Sequence, residues 1–215
     1  MVSSSHNQTR IRKRGFTLVE VLVTIGVIGI LAALLLPALS RGKAKAHRIK
    51  CVGQLGQIGQ AFIGYAQDHK DRLPWHLTRT QAREAFGEYR DDFAMDHAAM
   101  FSLPSIRRDL STAAILLSPC DPGRAPTNEK ARGQWNKIDL LQGHVLSANA
   151  ISYVLIDGAD AVRPTTVLST TRNLSTDDLA TASWVGADQA DDQGKLHPNT
   201  MANLFGSQGQ MVMAD

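Results

Sequence analysis

The chain has 215 residues, of which 43% are hydrophobic, 6% aromatic and 20% charged. This composition is typical of a globular protein and excludes a collagen-like, disulfide-scaffold or wholly disordered chain. The net charge is +3, but residues 1–15 and residues 16–50 each carry +4, so residues 51–215 carry −5. Since the larger part of the chain is acidic and has no basic stripe, the sequence does not indicate a nucleic-acid-binding protein.

A long apolar segment follows the basic residues of the leader, 1–15. Residues 21–39 form a run of 19 residues without a charge. At about 1.5 Å per residue in a helix, this run approaches the roughly 30 Å of a bilayer core. It is longer than the apolar part of a secretory signal peptide, which has about 7–15 residues. We therefore predict a retained membrane helix over residues 16–40, with a cytoplasmic amino terminus and a body outside the cytoplasmic membrane.

Glu20 is the one acidic residue near the start of this apolar segment. A carboxylate is costly inside a bilayer and less so at its interface. One interpretation is that Glu20 lies at the level of the lipid headgroups and is hydrated. The other is that Glu20 needs a charged partner in an assembled state.

The residues around Glu20 resemble the processing site of type IV prepilins and type II secretion pseudopilins. A basic leader ends in Gly15, and Phe16-Thr-Leu-Val-Glu20 and the apolar helix follow. The resemblance implies cleavage between Gly15 and Phe16 by a membrane prepilin peptidase, and N-methylation of the new Phe16 amine. It also implies a single-pass protein of the bacterial inner membrane whose head is periplasmic or extracellular.

The same resemblance implies a structural role and no enzymatic activity. The expected partners are other pilin or pseudopilin subunits, the membrane assembly platform and the lipid bilayer, but no nucleic acid. Glu20 would neutralise the Phe16 amine of a neighbouring subunit and so select the register of assembly. The sequence leaves open whether the filament is a pseudopilus or a pilus. The alternative is a membrane-tethered binding or catalytic domain that only uses a pilin-type anchor.

The helix is predicted to continue through residues 41–72 as an amphipathic segment, despite Pro37 in its membrane half. Lys50, Gln54, Gln57 and Asp68 are expected on its polar face. The predicted buried face comprises Ile49, Val52, Leu55, Gly59, Phe62, Ile63 and Ala66.

Residues 73–215 are predicted to form an α+β head. The pattern indicates a helix over residues 80–89, a short strand at residues 116–117, and strands over residues 151–156, 165–169 and 211–214. Strands that follow a long helix favour a small antiparallel sheet packed on that helix. This pilin-like α+β architecture is also the one that the amino-terminal resemblance implies.

Two further groups of residues are candidate sites. Cys51 and Cys120 could form one disulfide in an oxidising compartment, or remain two separate buried thiols. Asp188, Asp191 and Asp192 form an acidic segment that suits calcium, as in some pseudopilins, or a solvated loop. No catalytic site is predicted, and no cofactor other than that calcium ion, since the sequence has no nucleophile elbow, phosphate-binding loop or dinucleotide motif.

Overall fold

The computed structural model describes residues 17–86, 97–124, 146, 148–163, 165–201, 203, 204, 206 and 208–214. The predicted leader, residues 1–15, lies outside the described residues. The chain divides into two compact units, Met1–Lys43 and Ala44–Asp215.

One long helix begins shortly after the leader. Helix α1 is Leu18–Asp68 and contains Pro37 within it, so the helix continues through the proline as predicted. It ends where Lys70 and Asp71 both adopt a φ of 59°, a conformation that an α-helix cannot continue through. The amide groups of His69 and Asp71 both donate to the carbonyl of Ala66, which satisfies one of the carbonyls that the last turn leaves open.

Short helices follow in the described part of the head. These are α2 (Arg79–Phe86), α3 (His97–Phe101) and α4 (Pro104–Leu110). Helix α2 confirms the predicted helix up to Phe86, and its predicted remainder lies outside the described residues. Single turns of 3-10 helix occur at Pro74–His76, Ala113–Leu116, Pro122–Arg124 and Ala148–Ala150.

The predicted strand at residues 116–117 is wrong. Leu116 ends the 3-10 turn Ala113–Leu116, and Leu117 caps that turn. The reason is local, because the Thr112 side chain accepts a hydrogen bond from the Ala114 amide and starts a helical turn. The apolar character of Leu116 and Leu117 is not enough to make this capped turn a strand.

Three strands form an antiparallel sheet in the order β1-β2-β3. Strand β1 is Tyr153–Leu155, β2 is Val167–Thr171 and β3 is Met211–Met213. Tyr153 pairs with Thr171, and Val167 pairs with Met213, with an irregularity between Val167 and Ser169. The sheet confirms the predicted α+β fold, and each strand overlaps the segment predicted for it.

The main core lies between α1, the short helices and the sheet. Phe62 of α1 is its centre, because it contacts Phe101 edge-on at 5.6 Å between ring centroids and Trp75 at 5.9 Å. Other large side chains that are completely buried include Leu55, Ile58, Leu73, Ile106, Leu110, Leu116, Tyr153 and Leu168.

The buried face of α1 differs from the predicted one. Ile49 and Val52 are 64% and 57% exposed, although both were predicted to be buried. Gln54 was predicted on the polar face but is only 6% exposed. The sequence pattern failed here because the residues that cover α1 come from distant parts of the head. The buried residues are Cys51, Gln54, Leu55, Ile58, Gly59, Ala61, Phe62, Tyr65 and Ala66.

Candidate functional site

The first half of α1 exposes its apolar side chains. Leu18 is 79% exposed, Leu34 is 70% and Leu39 is 69%. The helix is long and apolar enough to cross a membrane. Its most apolar stretch of 18 residues has a mean hydropathy of 2.7, and none of these residues is buried. Because exposed side chains of this kind are costly in water, they indicate a membrane-anchored protein.

The two hydroxyl groups of this apolar segment bond to its own backbone. Thr24 Oγ1 donates to the Val21 carbonyl at 2.8 Å, and Ser40 Oγ donates to the Pro37 carbonyl at 3.0 Å. Each hydroxyl therefore has an acceptor within the same helix. This arrangement makes the segment compatible with lipid, where no water would satisfy a hydroxyl group.

Glu20 and Thr17 form a reciprocal cap at the start of α1. The Glu20 carboxylate accepts hydrogen bonds from the Thr17 amide and the Thr17 hydroxyl, both at 2.8 Å. The Thr17 hydroxyl in turn accepts the Glu20 amide at 3.3 Å. Each residue thus satisfies a backbone amide that the first turn of a helix leaves without a partner.

This cap gives Glu20 a second role that was not predicted from the sequence. The signal was present, because a Thr-x-x-Glu sequence directly before an apolar run is the signature of a capping box. Gly15 and Phe16, the predicted processing residues, lie outside the described residues. The predicted pairing of Glu20 with a neighbouring amine therefore stays a prediction.

Cys51 and Cys120 lie together in a small buried cluster that is separate from the main core. Both cysteines are completely buried as thiols, with Met201 and Leu204 as the other members of the cluster. Cys51 Sγ is 2.6 Å from Ser118 Oγ, and the Cys120 amide donates to the same oxygen at 3.0 Å.

The two neighbouring cysteines shift each other's pKa values in opposite directions. Hydrogen bonding from Cys120, with help from Ser118, lowers the pKa of Cys51 to about 6 against the effect of burial. The same hydrogen bonding and burial raise the pKa of Cys120 far above its ordinary value. The pair therefore favours one thiolate, on Cys51, that is stabilised by one retained proton.

The acidic segment uses two of its three carboxylates to bind its own backbone. Asp188 Oδ1 accepts the Gly206 amide at 2.8 Å. Asp191 Oδ1 accepts the amides of Gln193 at 3.0 Å and Lys195 at 2.7 Å. Among the described residues, no group of three or more His, Cys, Asp or Glu side chains is placed to hold a metal ion. Calcium binding by Asp188, Asp191 and Asp192 stays a prediction.

A cleft of about 770 Å³ lies beside β1 and contains two arginines. Arg172 binds the Asp121 carboxylate through two hydrogen bonds of 2.6 and 2.8 Å. Arg124 donates to the Ile151 carbonyl at 3.1 Å. The Arg172 guanidinium therefore joins the end of β2 to Asp121, and the Arg124 guanidinium joins the Pro122–Arg124 turn to the residues before β1.

The amino-terminal part of the chain matches a family model. Residues 10–36 match the prokaryotic N-terminal methylation motif. This match includes the predicted processing residues, the capping residues and most of the apolar run.

Longer similarity relates the chain to components of bacterial secretion systems. It is 33% identical over 130 residues to type II secretion system core protein G of Aeromonas hydrophila, a match that covers 60% of this chain and 81% of that protein. It is 43% identical over 130 residues to the core protein G of Klebsiella pneumoniae, covering 60% and 83%. The match to the Pectobacterium carotovorum subsp. carotovorum core protein G is 39% identical over 71 residues and covers 33% of this chain and 45% of that protein. No solved structure matches the chain.

Proposed function

This chain belongs to the family of the type II secretion system core protein G, and we propose on that basis that it is processed and assembled as the structural subunit of a pseudopilus. The observation that carries the proposal is the similarity to two such proteins over most of their length. The exposed apolar face of the first half of α1 supports it, because a filament subunit needs a surface that can leave lipid and pack on other subunits.

The first proposed step is removal of the leader by a prepilin peptidase between Gly15 and Phe16. Gly15 has no side chain, so an extended backbone can enter a narrow protease site at this position. Cleavage removes the four positive charges of residues 1–15 and creates a new amine at Phe16. N-methylation of that amine is the next proposed event, and the match of residues 10–36 to the N-terminal methylation motif supports it.

The second proposed step is recruitment through Glu20. In the free subunit the Glu20 carboxylate is occupied by Thr17 of its own chain. In a filament the Phe16 amine of a neighbouring subunit competes for the same carboxylate. A charged partner in a low-dielectric helix bundle outweighs a neutral hydroxyl, so assembly in the correct register replaces the internal cap.

The proposed location is the bacterial inner membrane. Before cleavage the basic leader holds the amino terminus in the cytoplasm, and the head lies in the periplasm. The partners are a prepilin peptidase, other pseudopilins and a membrane assembly platform. The role is structural, and no catalytic residue is assigned.

Mass analysis of the amino-terminal peptide tests the processing step. The full chain is produced in a host with an active prepilin peptidase and in the same host without it. We expect a chain that begins at methylated Phe16 in the first host and a retained leader in the second. A retained leader in both hosts would contradict the proposal and favour a membrane-tethered domain that is never processed.

A charge variant tests the recruitment step. Glu20→Ala should abolish incorporation into surface filaments while leaving cleavage and membrane insertion unchanged. Glu84→Ala removes an exposed carboxylate from α2 of the head and serves as the matched control. Normal filament yield in Glu20→Ala would show that Glu20 acts only as a helix cap.

A further inference from the structure

We propose that Cys51 and Cys120 are oxidised to an intramolecular disulfide that fastens α1 to the segment after the Ala113–Leu116 turn. The bond forms while the head folds outside the cytoplasm, so its compartment rests on the proposed function. Nothing in the family similarity assigns this bond, and the argument depends on the structure around the two sulfur atoms.

The geometry brings the two cysteines close together. They lie in different parts of the head, and both belong to one small buried cluster. Ser118 positions both, since its hydroxyl group contacts Cys51 Sγ and accepts the Cys120 amide. Gln54, one turn further along α1, donates to the Leu117 carbonyl at 3.1 Å. The segment that carries Cys120 is therefore held against α1 at Leu117 and at Ser118.

The cluster also holds part of the carboxyl-terminal half of the head. Met201 and Leu204 pack on the two cysteines, and the Cys120 carbonyl accepts the Asn203 amide at 3.1 Å. The next residue, Asp121, is bound by Arg172. A covalent bond at this point would strengthen a junction between three parts of the chain that lies outside the main core.

The chemistry is a two-step thiol–disulfide exchange with a disulfide-bearing oxidase of the periplasm. The thiolate of one cysteine attacks the oxidase disulfide, which gives a mixed disulfide and releases one oxidase thiolate. The thiolate of the other cysteine then attacks the cysteine sulfur of that mixed disulfide and releases the second oxidase thiolate. The two protons of the cysteine thiols pass to the oxidase, so the oxidase is reduced to a dithiol while the pair is oxidised.

The burial of both thiols determines when this exchange takes place. Both cysteines are completely buried in the folded head, so an oxidase cannot reach them there. Exchange therefore occurs before the segment around Ser118 closes over α1. Afterwards the bond is shielded from reductants, so it is structural and does not act as a redox switch.

Differential alkylation of the full chain tests this proposal. The protein is purified in detergent from native membranes, unfolded, and treated with an alkylating reagent before and after reduction. We expect no labelling of either cysteine before reduction and labelling of both after it. The digest should contain the two cysteine peptides cross-linked and lighter by two hydrogen atoms. Labelling of both cysteines without reduction would overturn the proposal.

The same digest distinguishes failure of this proposal from failure of the proposed function. Its amino-terminal peptide shows whether the chain begins at methylated Phe16. Reduced cysteines in a processed chain would overturn the disulfide alone. Reduced cysteines in a chain that retains its leader would overturn both the disulfide and the pseudopilin processing.

Thermal unfolding tests the disulfide a second time, with a variant that has no cysteine as the control. The sequence has two cysteines, so the double variant Cys51→Ser/Cys120→Ser has no thiol. A disulfide that closes a long loop shifts the melting temperature by about 10 °C in a chain of this size. A reductant present throughout unfolding should lower the wild-type melting temperature by that amount and leave the double variant unchanged. An equal response of the two proteins would contradict the disulfide.

Discussion

Tyr153 Oη donates a hydrogen bond of 2.9 Å to Gln54 Oε1, which joins the first strand of the sheet to the long helix. Gln54 Nε2 donates to the Leu117 carbonyl at 3.1 Å, so both ends of this amide are satisfied. Tyr153 and Gln54 are 2% and 6% exposed. Since a buried amide is costly without partners, this network allows one alignment of the sheet on α1 and disfavours others.

The buried tyrosines Tyr65 and Tyr153 should respond differently to loss of their hydroxyl groups. Tyr153→Phe leaves Gln54 Oε1 buried without a donor and should lower the free energy of unfolding by about 1–3 kcal/mol. Tyr65 is equally buried, and its Oη has no hydrogen-bond partner among the described residues. Tyr65→Phe should therefore leave the free energy of unfolding unchanged or slightly raised.

Chemical denaturation of the full chain in detergent, followed by tryptophan fluorescence, measures both variants. The double variant Gln54→Leu/Tyr153→Phe adds a second check. It should recover part of the stability lost in Tyr153→Phe, because neither polar partner remains buried. Equal losses in Tyr153→Phe and Tyr65→Phe would contradict the importance of the Gln54 contact.

The head should lose stability at alkaline pH because it keeps its buried tyrosines neutral. Burial raises the pKa of Tyr65 to about 12, and burial also raises the pKa of Tyr153. The unfolded chain releases these protons near pH 10, so stability is full below about pH 10 and falls as pH rises towards about pH 12. Each tyrosine should contribute a slope of about 1.4 kcal/mol per pH unit.

The variant Tyr65→Phe removes the contribution of Tyr65 to the pH dependence of the free energy of unfolding. Its free energy of unfolding should fall less steeply than that of the wild type between about pH 10 and pH 12. Other groups that titrate in this range are common to both proteins and cancel in the comparison. Parallel pH profiles of the two proteins would show that Tyr65 is not kept neutral by the fold.

Substitution of Arg172 should strongly destabilise the head. Its side chain is 10% exposed and binds Asp121, which is 1% exposed, and it also donates to the carbonyls of Pro198 and Thr200. Arg172→Met leaves a buried carboxylate without its partner and should cost about 3–5 kcal/mol.

Arg163 offers a matched control for this change. It pairs with Asp160 at 3.7 Å, but its side chain is 78% exposed. Arg163→Met removes the same charge and should change the free energy of unfolding by less than about 0.5 kcal/mol. Comparable losses in the two variants, measured by denaturant titration, would argue against a structural role for the Asp121–Arg172 pair.

Two glycines of α1 should respond in opposite directions to alanine. A Cβ at Gly59 would lie 2.9 Å from Val212 Cγ2, so the sheet approaches the helix too closely for a side chain. A Cβ at Gly56 meets nothing within 4 Å. Gly56→Ala should raise stability by about 0.5–1 kcal/mol through helix propensity. Gly59→Ala should lower it, because a clash costs about 1–3 kcal/mol and outweighs that gain.

Melting temperatures of the two alanine variants test this contrast. A rise in both would mean that strand β3 moves away from α1 at little cost. A fall in both would contradict the open space beside Gly56, because it would mean that a methyl group there meets other atoms of the protein.

Local patterns predicted the secondary structure wherever neighbouring residues decide it. The uncharged run, the helical periodicity and the β-branched segments correctly predicted α1 and three strands. Residues 116–117 were mispredicted, because the cap at Thr112 determines the turn there and apolar character does not. The reciprocal cap of Thr17 and Glu20 is also a local feature, because the spacing of a threonine and a glutamate before an apolar run is enough to predict it.

The long apolar helix, the N-terminal methylation motif and the α+β class could be predicted from sequence, because each depends on residues that are adjacent or regularly spaced along one element. The burial of Gln54, the shared cluster of Cys51 and Cys120, and the binding of Asp121 by Arg172 became visible only in the folded structure. The partners in these pairs come from distant parts of the chain, and their contact depends on how the head folds onto α1. A polar residue at a given helical position looks the same in sequence whether water or a buried tyrosine satisfies it.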